Sequence, residues 1–334
     1  MKKTLVVLVF FICSAFLSQK EFFSTPEYWP KPTYDFSKNP FDANKVLLGR
    51  VLFYDPILSA NNTISCESCH SPFSAFTHID HSLSHGIHDS IGSRNSPALM
   101  NLAWKNSFMW DGAIKHLDMQ ALAPISHPSE MGSDINSSVI ELNKSIKYRK
   151  LFYAAFGDSL ATGEKTLKAL SQFLLTLVSA NSKYDQVKNG TQEFSAQEQN
   201  GYILFQKNCS SCHVEPLFTN DTFENNGLPV DSFLRDVGRM SISSNADDSL
   251  KFKVPTLRNI EYTYPYMHDG RFIKLSEVLN HYTKGIQNSK TLAPQLVKGI
   301  MLSADEKVDL ISFLFTLSDK EFVFNPEHRY PKIN

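Results

Sequence analysis

Apolar residues recur at the spacing of α-helices along most of this 334-residue chain. The pattern is clearest across residues 167–178, where Leu, Phe and Val side chains line one helical face. The same spacing predicts helices over residues 42–54 and 139–156. The alternation of apolar and polar residues that is typical of strands is almost absent. The chain is therefore predicted to be mainly α.

Two capping boxes mark the starts of further helices. In a capping box, a serine and a glutamate three residues later satisfy free amide groups of the first turn. Residues 195–198 predict a helix that ends just before Cys209, and residues 303–306 predict one that continues to Phe315. The proline-rich residues 21–40 predict an extended arm. Polar composition predicts a loop at residues 71–95, a linker at residues 181–194 and an irregular region at residues 219–251.

The first residues have the composition of an export signal. Lys2 and Lys3 precede an apolar run over residues 5–17, which is short for a membrane span. Residues 1–20 are therefore predicted to be a signal peptide, which places the protein in the periplasm. Cys13 lies in this run. Retention of the segment as an anchor, or a lipid on Cys13, stays open.

Length and charge narrow the classes of function. At about 100–200 residues per domain, this chain with 42% hydrophobic residues corresponds to two domains with ordinary cores. A net charge of -1 gives no indication that the protein binds nucleic acid.

A five-residue motif occurs twice, as Cys-Glu-Ser-Cys-His at residues 66–70 and as Cys-Ser-Ser-Cys-His at residues 209–213. Cys-x-x-Cys-His is the attachment signature of a c-type haem. The two thiols form thioethers to the haem vinyl groups, and the adjacent imidazole becomes the proximal ligand of the iron. Two such motifs therefore predict two covalently bound c-type haems, held by Cys66, Cys69, His70, Cys209, Cys212 and His213.

Other uses of these cysteines agree less well with the sequence. A thioredoxin-like redox pair belongs in a βαβ pattern, which this chain lacks. A zinc site needs its two cysteine pairs to converge, and 143 residues separate Cys66 from Cys209 (209−66). Structural disulfides are the remaining alternative in an oxidising compartment.

Shorter patterns around the two motifs also recur. Residues 49–53 and 201–205 share Gly-x-x-Leu-Phe, and residues 97–101 and 255–259 share Pro-x-Leu-x-Asn. An Asp-Gly pair follows each proline by the same 14 residues (111−97 and 269−255). Equal offsets predict two cytochrome c-like haem domains with long loops, related by internal duplication. We expect a peroxidatic domain at residues 41–182, an electron-transfer domain at residues 195–318 and a C-terminal tail at residues 319–334.

The two predicted domains differ where this register matches them residue by residue. Trp110 corresponds to His268, and Pro124 corresponds to Tyr282 (124−97 and 282−255). If this segment covers the distal face of each haem, Tyr282 is a candidate ligand or hydrogen-bond partner of the second iron. Proline has no side-chain donor, so the first iron is expected to stay open. The asymmetry predicts a catalytic first haem and an electron-relay second haem.

Peroxide chemistry also needs a group that moves a proton between the two oxygen atoms. Glu130 and Gln120 flank Pro124, and Trp110 is placed to relay electrons between the haems. The loop over residues 78–88 holds four histidines, which predict either a zinc or copper site or a cap on the first iron. His85 precedes a glycine and is the candidate cap.

These features resemble the bacterial di-haem cytochrome c peroxidase family, from about Asn39 to the C-terminus. Besides the two haem motifs, the resemblance rests on four shorter ones. They are Arg-Asn-Ser-Pro at residues 94–97, Trp-Asp-Gly at residues 110–112, Phe-Lys-Val-Pro-Thr-Leu-Arg-Asn at residues 252–259 and Pro-Tyr-Met-His-Asp-Gly at residues 265–270. It implies reduction of hydrogen peroxide to water. The electrons would come from a small exported cytochrome c or copper protein, and family members are often homodimers.

The resemblance implies roles for single residues as well. Glu130 matches the acid–base glutamate, Gln120 the distal glutamine, Trp110 the inter-haem tryptophan and His85 the resting-state cap. A calcium ion between the domains is implied at the Asn95 side chain and the carbonyls of Thr263 and Pro265.

Tyr282 departs from the peroxidase pattern, which usually places a methionine at this position. A tyrosine there is similar to MauG, a relative that oxidises a protein partner. A phenolate stabilises ferric and higher iron, which weakens the expectation of a high-potential relay haem. Met267 is a fallback thioether candidate, but it neighbours His268 in a segment that the register places elsewhere. A di-haem peroxidase is the leading hypothesis, with a MauG-like oxidase and a non-catalytic electron carrier as alternatives.

Overall fold

The computed structural model describes residues 23–332. The predicted signal peptide and Cys13 lie outside the described residues. Twelve α-helices are labelled here in chain order within the described range, as α1 Ala43–Tyr54, α2 Leu117–Gln120, α3 Leu122–Ser126, α4 Ile135–Lys144, α5 Ile146–Phe156, α6 Gly163–Leu175, α7 Lys183–Lys188, α8 Ala196–Asn208, α9 Met240–Ser243, α10 Leu275–Asn280, α11 Ala304–Phe315 and α12 Lys320–Val323. A π-helical turn, His281–Gly285, follows α10 directly. Two short antiparallel strands, β1 Phe223–Glu224 and β2 Phe252–Lys253, pair with each other.

The mainly α prediction is confirmed, and so are the helices expected from the capping boxes. Ser195 and Ser303 cap α8 and α11 through full capping boxes. One predicted helix was wrong, because residues 139–156 belong to two helices. Ser145 ends α4 with extended backbone, and its side chain then caps α5. A serine that accepts from a backbone amide favours such a break over helix continuation.

Each half of the fold is organised around one close helix crossing. The first half is defined here as residues 41–182 and the second half as residues 195–318. In the first half α1 packs on α6, and a Cβ on Gly49 would lie 1.8 Å from the Ala169 carbonyl oxygen. In the second half α8 packs on α11, and a Cβ on Gly201 would lie 2.0 Å from the Asp309 carbonyl oxygen. Only glycine permits this approach of two backbones.

The turns after each haem motif also repeat. Met109 and Met267 have positive φ angles of 69° and 76°, each inside a turn that an antiparallel bridge closes. The next helix begins at Leu117 in the first half and at Leu275 in the second half. These positions follow the register that the sequence predicted. Duplication as the origin of the similarity stays a prediction, as do the domain boundaries.

The segment expected to be a linker instead contains a buried ion pair. Residues 183–188 form α7, and Asp185 and Arg258 are both fully buried and bonded at 2.8 and 2.9 Å. Tyr28 from the N-terminal arm donates a further hydrogen bond to Asp185. A lone buried charge costs about 3–5 kcal/mol, so the pair holds α7 against the second half. The hydrophilic composition of this segment predicted a loose linker. The structure shows a fixed contact instead, because the charges are paired.

The C-terminal tail returns to the first half. Arg50 of α1 donates to the carbonyls of Pro326 and Arg329 and pairs with Glu327 at 3.0 Å. His328 is buried and packs against the ring of Phe76. Among residues 23–332, no helix has both the length and the apolar character needed to cross a membrane.

Candidate haem sites

The two motif histidines have the same local geometry. His70 Nδ1 donates to the Phe76 carbonyl at 2.8 Å, and His213 Nδ1 donates to the Phe218 and Pro255 carbonyls at 3.1 and 3.2 Å. These bonds fix the tautomer and leave each Nε2 lone pair available to a metal. Burial lowers the pKa of both imidazoles to about 4, so they are neutral at physiological pH. Neutral imidazole is the form that binds iron.

The four motif cysteines carry free thiols, so the described residues give no support to structural disulfides. Burial raises the pKa of Cys66 to about 12, and that of Cys69 to about 11. Both thiols of the first motif therefore stay protonated. A protonated, partly buried thiol pair beside a neutral imidazole is the donor set that covalent haem attachment uses.

The second motif opens into a cavity of about 270 Å³. Cys209, Cys212 and His213 lie on its wall, and Tyr282 also lines it. Most other lining residues are apolar, among them Leu257, Ile260, Leu275, Leu279, Leu296 and Leu314. An apolar cavity with the attachment residues and a free Nε2 fits a haem group.

Lys105 adds a positive charge to this cavity. Burial lowers its pKa to about 8, with a further contribution from repulsion by Lys253. Lys253 is paired with Asp221 at 2.8 Å and with Ser107 at 2.6 Å. The Lys105 ammonium, by contrast, has no hydrogen-bond or ion-pair partner within the described part of the chain. A partnerless ammonium in a haem-sized cavity suits the carboxylate of a haem propionate.

Tyr282 and Met267 both lie next to the side-chain amide of Asn226. Asn226 Nδ2 lies 3.4 Å from Tyr282 Oη and 3.5 Å from Met267 Sδ, and all three residues line the cavity. Burial raises the pKa of Tyr282 to about 12, so the free side chain is a phenol. The structure thus brings the candidate tyrosine to the second motif, together with the thioether.

The distal side of the first motif is different. Pro124 lies in α3, and its carbonyl accepts from Met131. Glu130 follows, with its carboxylate 3.7 Å from His127. Burial raises the pKa of Glu130, and His127 partly offsets that shift. The Glu130 carbonyl accepts from the Ile87 amide at 2.8 Å, in the loop whose His85 carbonyl lies 3.8 Å from the Cys69 thiol, so Glu130 belongs to the segment packed against the first haem motif. A carboxyl group whose pKa is raised holds a proton more readily than a solvated one, which suits a group that takes up and returns a proton.

Gln120 and Trp110 lie where the two halves meet, and both line the cavity. Gln120 Nε2 is 3.8 Å from Met109 Sδ. Trp110 Nε1 donates to the Asn95 carbonyl at 2.8 Å, and the Trp110 carbonyl accepts from Lys253 at 2.7 Å. The indole is therefore anchored to the first half, while the Trp110 main chain is bonded to the second half.

The histidine loop lies over the first motif. The Cys69 thiol is 3.8 Å from the His85 carbonyl, and His85 Nδ1 is 2.5 Å from Asp89. The His78 ring stacks on that of His81, and the His81 ring contacts that of His85 in a tilted arrangement. Over residues 23–332, no group of three or more His, Cys, Asp or Glu side chains is arranged to hold a metal ion. The alternative of a zinc or copper site in this loop is therefore unsupported, while the His85 cap stays a prediction.

The three residues of the candidate calcium site line the same cavity. Asn95 Nδ2 donates to Ser82, and the Asn95 amide is thereby oriented. The Asn95 amide oxygen and the Thr263 and Pro265 carbonyls accept no hydrogen bond from any described residue. Free oxygen atoms of this kind are the ligands that calcium takes.

The chain was compared with families and individual proteins. The family model of di-haem cytochrome c peroxidase matches residues 43–193. The methylamine utilization protein MauG of Methylorubrum extorquens is 34% identical over 307 residues, which cover 88% of this chain and 83% of that relative. The cytochrome c551 peroxidase of Nitrosomonas europaea is 33% identical, with 87% and 84% covered. This chain belongs to the di-haem cytochrome c peroxidase family. The two haems of that family correspond to the two motifs of this member.

A solved structure supports the same assignment. A MauG-like protein associated with microbial copper homeostasis superimposes with a TM-score of 0.83 at 31% identity, covering 92% of this chain and 99% of that protein. The family therefore includes relatives named as peroxidases and relatives named MauG at similar identity. Family membership alone does not choose between the two activities.

Sequence reasoning missed two residues of this di-haem protein's second site. Asn226 lies in the polar segment that was expected to be irregular, and Lys105 lies in no motif. Neither residue had a periodic or paired pattern that could have marked it. Their positions follow from the way in which the two halves pack.

Proposed function

We propose that this protein is a periplasmic di-haem peroxidase that reduces hydrogen peroxide to water with electrons from a small exported cytochrome c or copper protein. The observation that carries the proposal is the first distal site. There, Glu130, whose pKa burial raises, is bonded through its carbonyl to the loop that contacts the Cys69 thiol, and the position corresponding to Tyr282 is Pro124, which has no side-chain donor atom.

In this proposal Cys66 and Cys69 attach the first haem and His70 is its proximal ligand, with Cys209, Cys212 and His213 in the same roles for the second. The first haem, when bound, supplies an iron that coordinates and helps to cleave peroxide. Glu130 takes a proton from one peroxide oxygen and returns it to the other, which leaves as water. Gln120 orients the substrate. Two electrons and two protons complete the reduction to water.

Trp110 lies on the route between the halves that the electrons take. Its indole is held by the Asn95 carbonyl of the first half and its main-chain carbonyl by the Lys253 amide of the second half, and this rigid placement keeps the electronic coupling between the two sites constant. Lys105, which lines the same cavity, would pair with a haem propionate. A calcium ion bound by Asn95, Thr263 and Pro265 would further fix the two halves.

The test is steady-state oxidation of a reduced small cytochrome c by hydrogen peroxide, with the di-haem protein fully oxidised and then pre-reduced by one electron. Fast turnover only after pre-reduction supports a peroxidase with a cap that reduction releases. Substitution of His85 by alanine should then give turnover in both states. Fast turnover of the unaltered protein in both states keeps the peroxidase and removes the His85 cap.

A MauG-like oxidase of a protein partner is the second candidate. Tyr282, which faces the second motif from within the cavity, favours it, because a hard oxygen ligand stabilises highly oxidised iron. The names of two relatives agree with this candidate. Absence of cytochrome oxidation, together with a long-lived species after peroxide addition, would select it. Two six-coordinate irons that never react with peroxide would leave only an electron carrier.

A further inference from the structure

The second haem cavity contains two side chains that bind iron in proteins. Tyr282 Oη and Met267 Sδ both lie within 3.5 Å of Asn226 Nδ2. The two candidate donor atoms are therefore no farther apart than the sum of two hydrogen-bond distances. Both residues line the wall of the cavity that also contains His213. One iron site therefore has a hard oxygen donor and a soft sulfur donor within reach.

Asn226 is oriented by its own contacts. Its Oδ1 accepts from the Leu228 amide at 3.2 Å, so Nδ2 is the atom that faces Tyr282 and Met267. Its carbonyl accepts from His281 Nε2 at 3.0 Å. Asn226 therefore contacts the turn that carries Tyr282 in two ways. Its main-chain carbonyl bonds to His281, and its side-chain amide bonds to Tyr282.

The backbone on both sides of this amide is unusual. Tyr282 lies in a π-helical turn, a rare form that is frequent at functional sites. Met267 has a φ of 76°, a conformation that a non-glycine residue adopts only when its surroundings impose it. The neighbouring turn bonds, from Gly270 to the Met267 carbonyl and between Tyr266 and Phe272, fix it there.

We infer that Met267 is an alternative ligand of the second iron, which replaces Tyr282 when that iron is reduced, and that Asn226 positions both side chains. The chemical reason is that a phenolate favours ferric iron, whereas a thioether favours ferrous iron. One electron from the donor protein reduces the iron, the bond to Tyr282 Oη breaks and Oη takes a proton from water. The bond to Met267 Sδ then forms. The inference rests on the proposed position of the second haem between His213 and Tyr282.

The first test uses absorption and magnetic circular dichroism spectra of the di-haem protein. Met267→Leu should convert the reduced second haem from a six-coordinate low-spin to a five-coordinate high-spin form, while its oxidised spectrum is retained. Met109→Leu is the matched control, because Met109 occupies the corresponding turn with the same positive φ. The control should leave the second haem unchanged. A reduced second haem that remains low-spin in Met267→Leu would overturn the inference.

A second experiment supports or contradicts the inference even if Met267→Leu folds poorly. Tyr282→Phe should give the oxidised protein a thioether-to-iron charge-transfer band, and addition of Met267→Leu should remove that band. Absence of the band in Tyr282→Phe would also overturn the exchange. Peroxide turnover is measured separately, so that a failed peroxidase assay with an intact spectral exchange contradicts only the proposed function.

The positioning role of Asn226 has its own readout. Asn226→Leu should weaken the phenolate-to-iron charge-transfer band of the oxidised protein, because Tyr282 loses its hydrogen-bond donor. Asn226→Gln retains the donor and should restore part of the band. An unchanged band in Asn226→Leu would remove this residue from the site.

Discussion

The two halves of this protein share a scaffold and differ at the distal side of each haem site. Both have a glycine-permitted helix crossing, a histidine held through Nδ1 and a turn with a methionine at positive φ. At the next helix they diverge. The first half places Pro124 in a regular α-helix, and the second half places Tyr282 in a π-helical turn.

This difference indicates how one scaffold supports two kinds of iron site. Pro124 leaves the position that corresponds to Tyr282 without a side-chain donor, and Glu130 follows it, bonded to the loop that contacts Cys69. The π-helical turn, supported by Asn226, directs an oxygen donor into the second cavity. The proximal sides are almost the same, so the functional contrast rests on a few distal residues.

The largest expected effect is loss of turnover in Glu130→Gln. An amide cannot accept and return a proton, and general acid–base catalysis contributes about 10²–10⁴-fold. Turnover with peroxide should fall by at least about 10²-fold, while both haems remain attached. Glu141→Gln is the control, because Glu141 pairs only with Lys144 on the exposed face of α4. Equal turnover in the two variants would remove Glu130 from the mechanism.

Tyr282→Met tests whether the distal asymmetry belongs to the second haem alone. Axial ligands set haem potentials over a range of about 0.8 V, so we expect the second potential to rise by on the order of 0.1 V. Spectroelectrochemistry resolves the two haems. The first haem should keep its potential and spectrum. A change confined to the first haem would contradict the register that pairs Pro124 with Tyr282.

The shared scaffold is tested by Gly49→Ala and Gly201→Ala. Each new methyl group would meet a backbone carbonyl at 2.0 Å or less, so the helices must separate. Overpacking of this kind costs about 1–3 kcal/mol, and we expect similar losses at both crossings. Denaturant unfolding of the holoprotein measures these losses in the free energy of unfolding. Gln199→Ala, on the exposed side of α8, is the control. A loss at only one glycine would show that the crossings are not equivalent.

The smallest expected effect is a shift in pH dependence in His127→Gln. Protonated His127 lowers the pKa of Glu130, so its removal should raise that pKa further. A higher pKa keeps Glu130 protonated at mildly acidic pH, and turnover there should fall. The acid limb of kcat/KM should therefore move to higher pH, and only slightly, because the pair is partly exposed. Movement to lower pH would contradict the assignment of this limb to Glu130.

Much of the fold was predictable because its signals are local. Helical periodicity and two serine caps located α1, α6, α8 and α11, and the repeated offsets paired Tyr282 with Pro124 of the first half, whereas the same register placed Met267 away from the second iron. The predicted linker was wrong for a physical reason. Asp185 appears solvated in the sequence, but it is buried because Arg258 lies 73 residues away in the chain and 2.8 Å away in space.

The sequence by itself determined the family, the two haem motifs and the register that contrasts Pro124 with Tyr282, because each depends on fixed spacing along the chain. Only the tertiary structure decided that Asn226 meets Tyr282 and Met267, that Lys105 lines the cavity and that Trp110 joins the two halves. These contacts join residues from distant segments. Long-range packing selects them, and no local pattern of residues encodes them.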